Sequence, residues 1–174
     1  MRTSRTTELP DPTLVIGLGN SLMDDDSLGL VALERLRSEW ELPPEVELVD
    51  GGTWGMNLLP MIEDANRVLL IDAIQAGCAP GTAIELVGDA VPTMLSQKLS
   101  PHQIDLREVL AVAMLRSTLP RELVAIGIQP LDVEMGTELS APVANTIPGL
   151  VIQIVRRLRS FGHRCEPRVS VVYA

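Results

Sequence analysis

The sequence predicts an α/β fold with a mainly parallel sheet that is covered by helices. Strand-like and helix-like segments alternate from residue 13 onward, which is typical of this class. The segment 68–71 is continuously apolar, as a strand buried on both faces should be. The 174 residues, of which 46% are hydrophobic, suffice for one packed core. We therefore expect a single α/β domain at 13–162, a flexible N-terminal segment at 1–12 and a C-terminal tail at 163–174.

The first half of the chain predicts three strands. They are placed at 13–16, 45–49 and 68–71. Between the first two, residues 27–40 carry apolar side chains at helical spacing with charged side chains opposite, which indicates an amphipathic helix packed on the sheet. The same spacing over 56–62 predicts a second helix before the third strand.

The second half predicts two further strands and two helices. A Pro-Gly turn leads into 82–87, which we expect to pair with the third strand as a hairpin and to form an antiparallel edge. A helix at 106–114 and a strand at 123–128 follow. One long helix is predicted at 140–158, with Ser140 as its N-cap.

Charge and cysteine content narrow the classes of partner and the compartment. The net charge of -9, from 23 acidic and 14 basic residues, argues against binding to nucleic acid or to an anionic membrane, because both need a positive surface. Two cysteines, Cys78 and Cys165, provide no disulfide framework, so we expect a reducing cytoplasmic location. The N-terminal residues contain no apolar run typical of a signal peptide or membrane anchor.

Aspartates follow each of the first three predicted strands. They are Asp24, Asp25 and Asp26 after the first, Asp50 after the second and Asp72 after the third. Each alone is typical of a helix cap. Because parallel strands end at one edge of the sheet, however, these carboxylates should converge there and repel one another unless a cation or a proton intervenes.

A histidine can complete a metal site at this edge. His102 lies in a loop before a predicted helix, from which its imidazole can reach the same place. Two aspartates and one imidazole form an oxygen, oxygen, nitrogen set that suits a divalent transition metal. The other histidine, His163, lies in the polar tail, where we expect it to be solvated.

The glycines after the first strand invite a dinucleotide-binding interpretation, which the spacing excludes. After Gly17 and Gly19 the third glycine of that fingerprint would fall at position 22, which is Leu22. Three aspartates would also repel a pyrophosphate. No organic cofactor is therefore expected.

An ordered set of motifs resembles the hydrogenase maturation protease family. The set spans about residues 13 to 158 and comprises GLGN at 17–20, an aspartate group before Gly29, DGGT at 50–53, IDA at 71–73, PG at 80–81, SPHQ at 100–103 and GIQP at 127–130. The resemblance implies a three-layer α/β/α sandwich around a twisted, mainly parallel five-stranded sheet.

The resemblance also implies the residues of the site. Asp26, Asp72 and His102 match the family's metal-contacting and catalytic positions. This sequence departs from the family in having three aspartates before Ser27, where an acidic pair and a glycine are usual. Whether Asp25 shares or takes the role of Asp26 therefore stays open.

The implied activity is that of an aspartyl-type endopeptidase acting in hydrogenase maturation. It would remove a C-terminal peptide from the precursor of a nickel-iron hydrogenase large subunit after nickel insertion, with the nickel carried by the substrate and used for recognition. Two alternatives stay open, a general zinc-type metallohydrolase and a non-catalytic hydrogenase-assembly chaperone.

Overall fold

A computed structural model describes residues 11–52, 54–95 and 106–168. Its strands are β1 (Thr13–Leu18), β2 (Trp40–Glu41), β3 (Val46–Gly52), β4 (Arg67–Ala73), β5 (Ala83–Val87), β6 (Glu122–Ile128) and β7 (Glu166–Pro167). Its helices are α1 (Leu28–Glu39), α2 (Leu59–Asp64), α3 (Ala90–Leu95), α4 (Leu106–Leu115), α5 (Ala141–Ala144) and α6 (Ile147–Ser160), with 3-10 turns at Asp25–Ser27 and Gly55–Leu58. Over these ranges no helix has the length and apolarity that crossing a membrane requires.

Five strands form one sheet in the order β3-β1-β4-β6-β5. The pairs β1–β3, β1–β4 and β4–β6 are parallel, and β5 runs antiparallel to β6. We call the end of the sheet at which the four parallel strands finish its carboxyl end. The mainly parallel five-stranded sheet is therefore confirmed.

Helices cover both faces of this sheet. Successive side chains of a strand point to opposite faces, so Leu69 and Ile71 of β4 pack in one core cluster, with residues of α1 and α6. Val68 and Leu70 pack in the other cluster, with residues of α2 and α4. This arrangement confirms the three-layer α/β/α sandwich.

The partner predicted for the strand at 82–87 is wrong, although the predicted antiparallel direction is right. Strand β5 is an antiparallel edge strand, but it pairs with β6 and not with β4. The burial patterns give the reason. Strand β6 is buried almost throughout and occupies the free side of β4, whereas β5 alternates exposed and half-buried residues and suits an edge.

The predicted long last helix is divided into α5 and α6. Pro148 has no N–H to donate to the carbonyl of Ala144, and its ring would crowd that carbonyl, so a continuous helix is interrupted there. Ser140 does precede α5, but its side chain makes no capping hydrogen bond. Its hydroxyl donates to Asp25 Oδ2 instead, at 2.8 Å.

The segment after α6 packs on the domain as far as it is described. Strand β7 pairs antiparallel with β2, and Cys165 is buried in the core. The expectation that His163 is solvated is wrong. It is buried, with its Nε2 at 2.7 Å from Thr13 Oγ1, and burial lowers its pKa, with a further lowering by the charge of Arg67.

Candidate active site

The candidate site begins at the turn between β1 and α1, where the backbones approach one another closely. A Cβ on Gly17 would lie 2.6 Å from the carbonyl oxygen of Gly29, and a Cβ on Gly29 would lie 2.3 Å from that of Ile71 in β4. Gly19 has φ +121° and packs against the backbone of Asp26. The glycine spacing thus lets the turn that carries Asp26 rest directly on the sheet.

Asp26 and Asp72 are both buried at the carboxyl end of the sheet. Asp26 lies in the 3-10 turn, and its Oδ2 accepts a hydrogen bond from the backbone N–H of Asn20 at 2.9 Å. Asp72 is the penultimate residue of β4, and this 3-10 turn contacts that strand. The fold therefore brings two of the three predicted site residues onto contacting elements.

The close packing continues on the other side of Asp72. Its register partner on β6 is Gly127, where a Cβ would lie 2.1 Å from the Asp72 carbonyl oxygen. A side chain at position 127 would push the two strands apart. Gly127, the glycine of the GIQP motif, thus allows β6 to pair closely with the part of β4 that contains Asp72.

The third predicted site residue, His102, lies outside the described residues, as do Lys98 and the rest of the segment 96–105. Within the described ranges, no three or more His, Cys, Asp or Glu side chains are grouped so that they could hold a metal ion. The predicted set of Asp26, Asp72 and His102 as catalytic and metal-contacting residues stays a prediction.

Asp25 has a different environment from Asp26. Its Oδ1 accepts a hydrogen bond from the N–H of Ser140 at 2.7 Å, and its Oδ2 accepts from the N–H of Leu131 at 2.8 Å and from the Ser140 hydroxyl. These three donors stabilise the buried carboxylate. Asp25 therefore fastens the loop between β6 and α5 to the turn that carries Asp26.

The remaining strand-end aspartates do not join this pair. The carboxylate of Asp24 packs against Gly136, where a Cβ would lie 1.6 Å from its Oδ1. Asp50 lies within β3 and is exposed. The predicted convergence of all the strand-end aspartates is thus wrong for these two, because one packs on the β6–α5 loop and the other points to solvent.

Gln129 is a residue whose role the sequence did not reveal. Buried directly after β6, it accepts hydrogen bonds at its Oε1 from the N–H groups of Ala76 at 2.8 Å and Cys78 at 3.2 Å. Its Nε2 donates to Gln75 Oε1 at 2.8 Å. Gln129 therefore orders the loop that follows Asp72. The sequence feature that could have indicated this role is the position of Gln129 in the GIQP motif, between an apolar strand and a proline.

Comparisons with known proteins agree with this architecture. The sequence model of a family described as hydrogenase maturation protease matches residues 31–157. The hydrogenase expression/formation protein HupD of Rhodobacter capsulatus is 37% identical over 155 residues, which are 88% of this chain and 74% of that protein. The hydrogenase 2 maturation protease of Escherichia coli K12 is 34% identical over 159 residues, 91% of this chain and 97% of that protein.

A solved structure supports the same assignment. The hydrogenase maturating endopeptidase HybD from E. coli superimposes with a TM-score of 0.85 at 34% sequence identity, covering 90% of this chain and 98% of that one. The resemblance found in the motifs is thereby confirmed. The chain belongs to the hydrogenase maturation protease family, and it is an endopeptidase, a hydrolase of peptide bonds.

Proposed function

We propose that this protease removes a C-terminal peptide from the precursor of a nickel-iron hydrogenase large subunit, in the cytoplasm and after nickel has been inserted. One observation carries the proposal. Asp26 and Asp72 are buried carboxylates on contacting elements at the carboxyl end of the sheet, in a chain that shares the fold of HybD. In open α/β sheets this is the end at which ligands bind.

In this proposal the nickel belongs to the substrate and is the recognition element. Asp26, Asp72 and His102 supply two oxygen ligands and one nitrogen ligand, a set that suits nickel. Three protein ligands leave coordination positions for groups of the substrate itself. No organic cofactor takes part, and a precursor without nickel lacks the group that these side chains bind.

Two chemistries for the cut are compatible with these side chains. Asp26 or Asp72 can take a proton from the attacking water, which is aspartyl-type general base catalysis. Alternatively, the substrate's nickel polarises the carbonyl of the peptide bond that is cut. Asp26→Asn and Asp72→Asn keep an oxygen that can contact nickel but remove the proton acceptor. Loss of cleavage with retained nickel-dependent binding would identify the substituted carboxylate as the base.

The decisive experiment compares nickel-loaded and nickel-free large-subunit precursor by mass spectrometry after incubation with the protease. We expect a short C-terminal peptide to be lost only from the loaded precursor. His102→Ala should abolish this loss. His163→Asn is a matched control, since it removes the other histidine, which is buried against Thr13 near the opposite end of the sheet.

Other outcomes would point to other functions. Cleavage regardless of nickel, together with stoichiometric zinc in the purified protein by elemental analysis, would indicate a general zinc-type metallohydrolase. Tight binding of a verified cognate precursor without cleavage would indicate a hydrogenase-assembly chaperone. Unchanged processing by a variant lacking Asp26, Asp72 and His102 would show that these residues do not form the site.

A further inference from the structure

A patch of large apolar side chains is exposed beside the candidate active site. It consists of Leu22, 62% exposed, in the turn after β1, and of Leu131, Val133 and Met135, which are 52%, 37% and 87% exposed, in the loop after β6. We call these four residues the apolar patch. Single exposed apolar residues are ordinary on a protein surface, but a group of them on two adjoining segments marks an interaction site.

The backbone under the apolar patch is fixed by pairing between its two segments. Met23 and Met135 form an antiparallel bridge. On either side of it the N–H of Asp24 donates to the carbonyl of Glu134 at 3.1 Å, and the N–H of Gly136 donates to that of Leu22 at 3.0 Å. A surface that is already ordered loses little conformational entropy when a partner binds.

The apolar patch is also tied to the candidate active site. The N–H of Leu131 donates to Asp25, which is adjacent to Asp26 in the same 3-10 turn. A polypeptide bound on the patch would therefore lie near the turn that carries Asp26. The attachment through Asp25 holds the patch and the site in one fixed relation.

The charge around the apolar patch indicates which partner it suits. Residues 6–34 and 122–155 contain no Lys, Arg or His. Asp132, Glu134 and Glu138 are exposed on the same loop. The ion pairs described for the chain use arginines elsewhere, namely Arg35, Arg37, Arg67, Arg116, Arg121 and Arg157.

We call Asp132, Glu134 and Glu138 the acidic rim. The acidic rim repels a second copy of the same face and attracts a cationic partner. Exposed apolar side chains and carboxylates on the same loop together indicate a partner with an apolar segment flanked by Lys or Arg. Specific protein interfaces likewise combine apolar contacts with polar and charged ones.

We propose that the apolar patch is the surface on which the hydrogenase large-subunit precursor docks, through apolar side chains that are flanked by Lys or Arg. This inference rests on the proposed function for the identity of the partner. The apolar contact supplies affinity outside the cleavage site, and the acidic rim accelerates and orients association.

The test is a binding measurement that does not depend on cleavage. Nickel-loaded precursor is immobilised, and its affinity for the protease is measured by biolayer interferometry. The reference protease and every variant carry Asp26→Asn, so that the precursor is bound but not cut. The double variant Leu131→Ala, Met135→Ala should bind about tenfold more weakly, as loss of two exposed interface side chains can produce. The matched control is Met114→Ala, Leu115→Ala, which removes the same two residue types at 48% and 87% exposed positions on α4.

A second pair of measurements tests the acidic rim. Association with the reference protease should slow as NaCl is raised, because exposed charges are screened. Asp132→Asn, Glu134→Gln should slow association at low salt and reduce its salt dependence. Binding that is unaffected by both double variants would overturn the proposal.

The design separates failure of the docking proposal from failure of the proposed function. Binding that the patch variant weakens, without any cleavage by wild-type protein, would support the docking surface and refute the protease assignment to this substrate. Normal cleavage by wild-type protein, together with equal affinity of the patch variant and the control variant, would refute the docking surface and support the protease assignment. Sedimentation velocity gives the last check, since a dimer that the patch variant dissociates would show that a second copy occupies the patch.

Discussion

Asp25 and Ser140 are joined by two hydrogen bonds although they lie 115 residues apart in the chain. The Ser140 N–H donates to one carboxylate oxygen and its hydroxyl donates to the other. The bonds link the turn after β1 to the start of α5. They explain both why a carboxylate is buried beside the candidate site and why Ser140 does not cap its helix.

Substitution of Asp25 and of Asp26 should have opposite consequences. In Asp25→Asn one amide nitrogen must face a backbone N–H, that of Leu131 or that of Ser140, so we expect a loss of about 2–4 kcal/mol of unfolding free energy. Asp26→Asn keeps an acceptor for the N–H of Asn20 and should cost less than about 1 kcal/mol, while cleavage should fall because the carboxylate that contacts nickel loses its charge. Urea unfolding and precursor cleavage measure the two effects.

Ser140→Ala provides the matched control for Asp25. It removes the hydroxyl donor but keeps the backbone N–H, so a smaller cost of about 1–2 kcal/mol is expected. A stable Asp25→Asn variant without activity would instead indicate that Asp25 takes part in the site, which is the alternative that the three consecutive aspartates left open.

Gly29→Ala should separate the turn and α1 from the sheet. The new methyl group would meet the carbonyl oxygens of Ile71 and Leu18 at 2.3 and 2.4 Å, which backbone atoms cannot easily relieve. We expect a loss of about 2–4 kcal/mol in thermal or urea unfolding. Gly149→Ala is the control, because a Cβ there would have nothing within 4 Å and a helical alanine should stabilise by up to about 1 kcal/mol. Equal effects of the two changes would contradict the close-packing argument.

Gln129→Ala should loosen the loop after Asp72. The N–H groups of Ala76 and Cys78 lose their acceptor, and we expect a cost of about 2 kcal/mol. Hydrogen exchange at these two amides should accelerate. Gln75→Ala removes only the exposed partner of Gln129 and should leave both amides protected. Unchanged exchange in Gln129→Ala would rule out this ordering role.

His163 should make stability depend on pH. Burial and the charge of Arg67 lower its pKa in the folded protein, although Glu45 opposes them. Between the folded and the unfolded pKa the unfolded chain therefore binds more protons, so stability is full above about pH 6.5 and declines as the pH falls below it. Urea unfolding between pH 8 and pH 5.5 should show a steeper decline in wild type than in His163→Asn. Parallel curves would count against a neutral buried imidazole.

The fold was largely predictable from the sequence, and the errors in that prediction have local explanations. The helix at 27–40 was recognised by the helical spacing of its apolar residues, and the strand at 68–71 was recognised by its continuous apolar run. Pro148 could have predicted the break in the last helix, but the regular apolar spacing on both sides of it favoured one continuous helix. The partner of β5 was not predictable, because pairing joins residues that are distant in sequence and depends on which strand edge is already occupied.

The sequence by itself determined the fold class, the family and the aspartates at the carboxyl end of the sheet, because periodicity, glycine spacing and motif order are properties of neighbouring residues. Only the tertiary structure distinguished Asp25, which holds Leu131 and Ser140, from Asp26 beside β4. It also revealed the buried His163, the role of Gln129 and the apolar patch. Burial and hydrogen-bond partners depend on contacts between segments that are 53 to 150 residues apart, and a local sequence pattern cannot predict which distant segments come into contact.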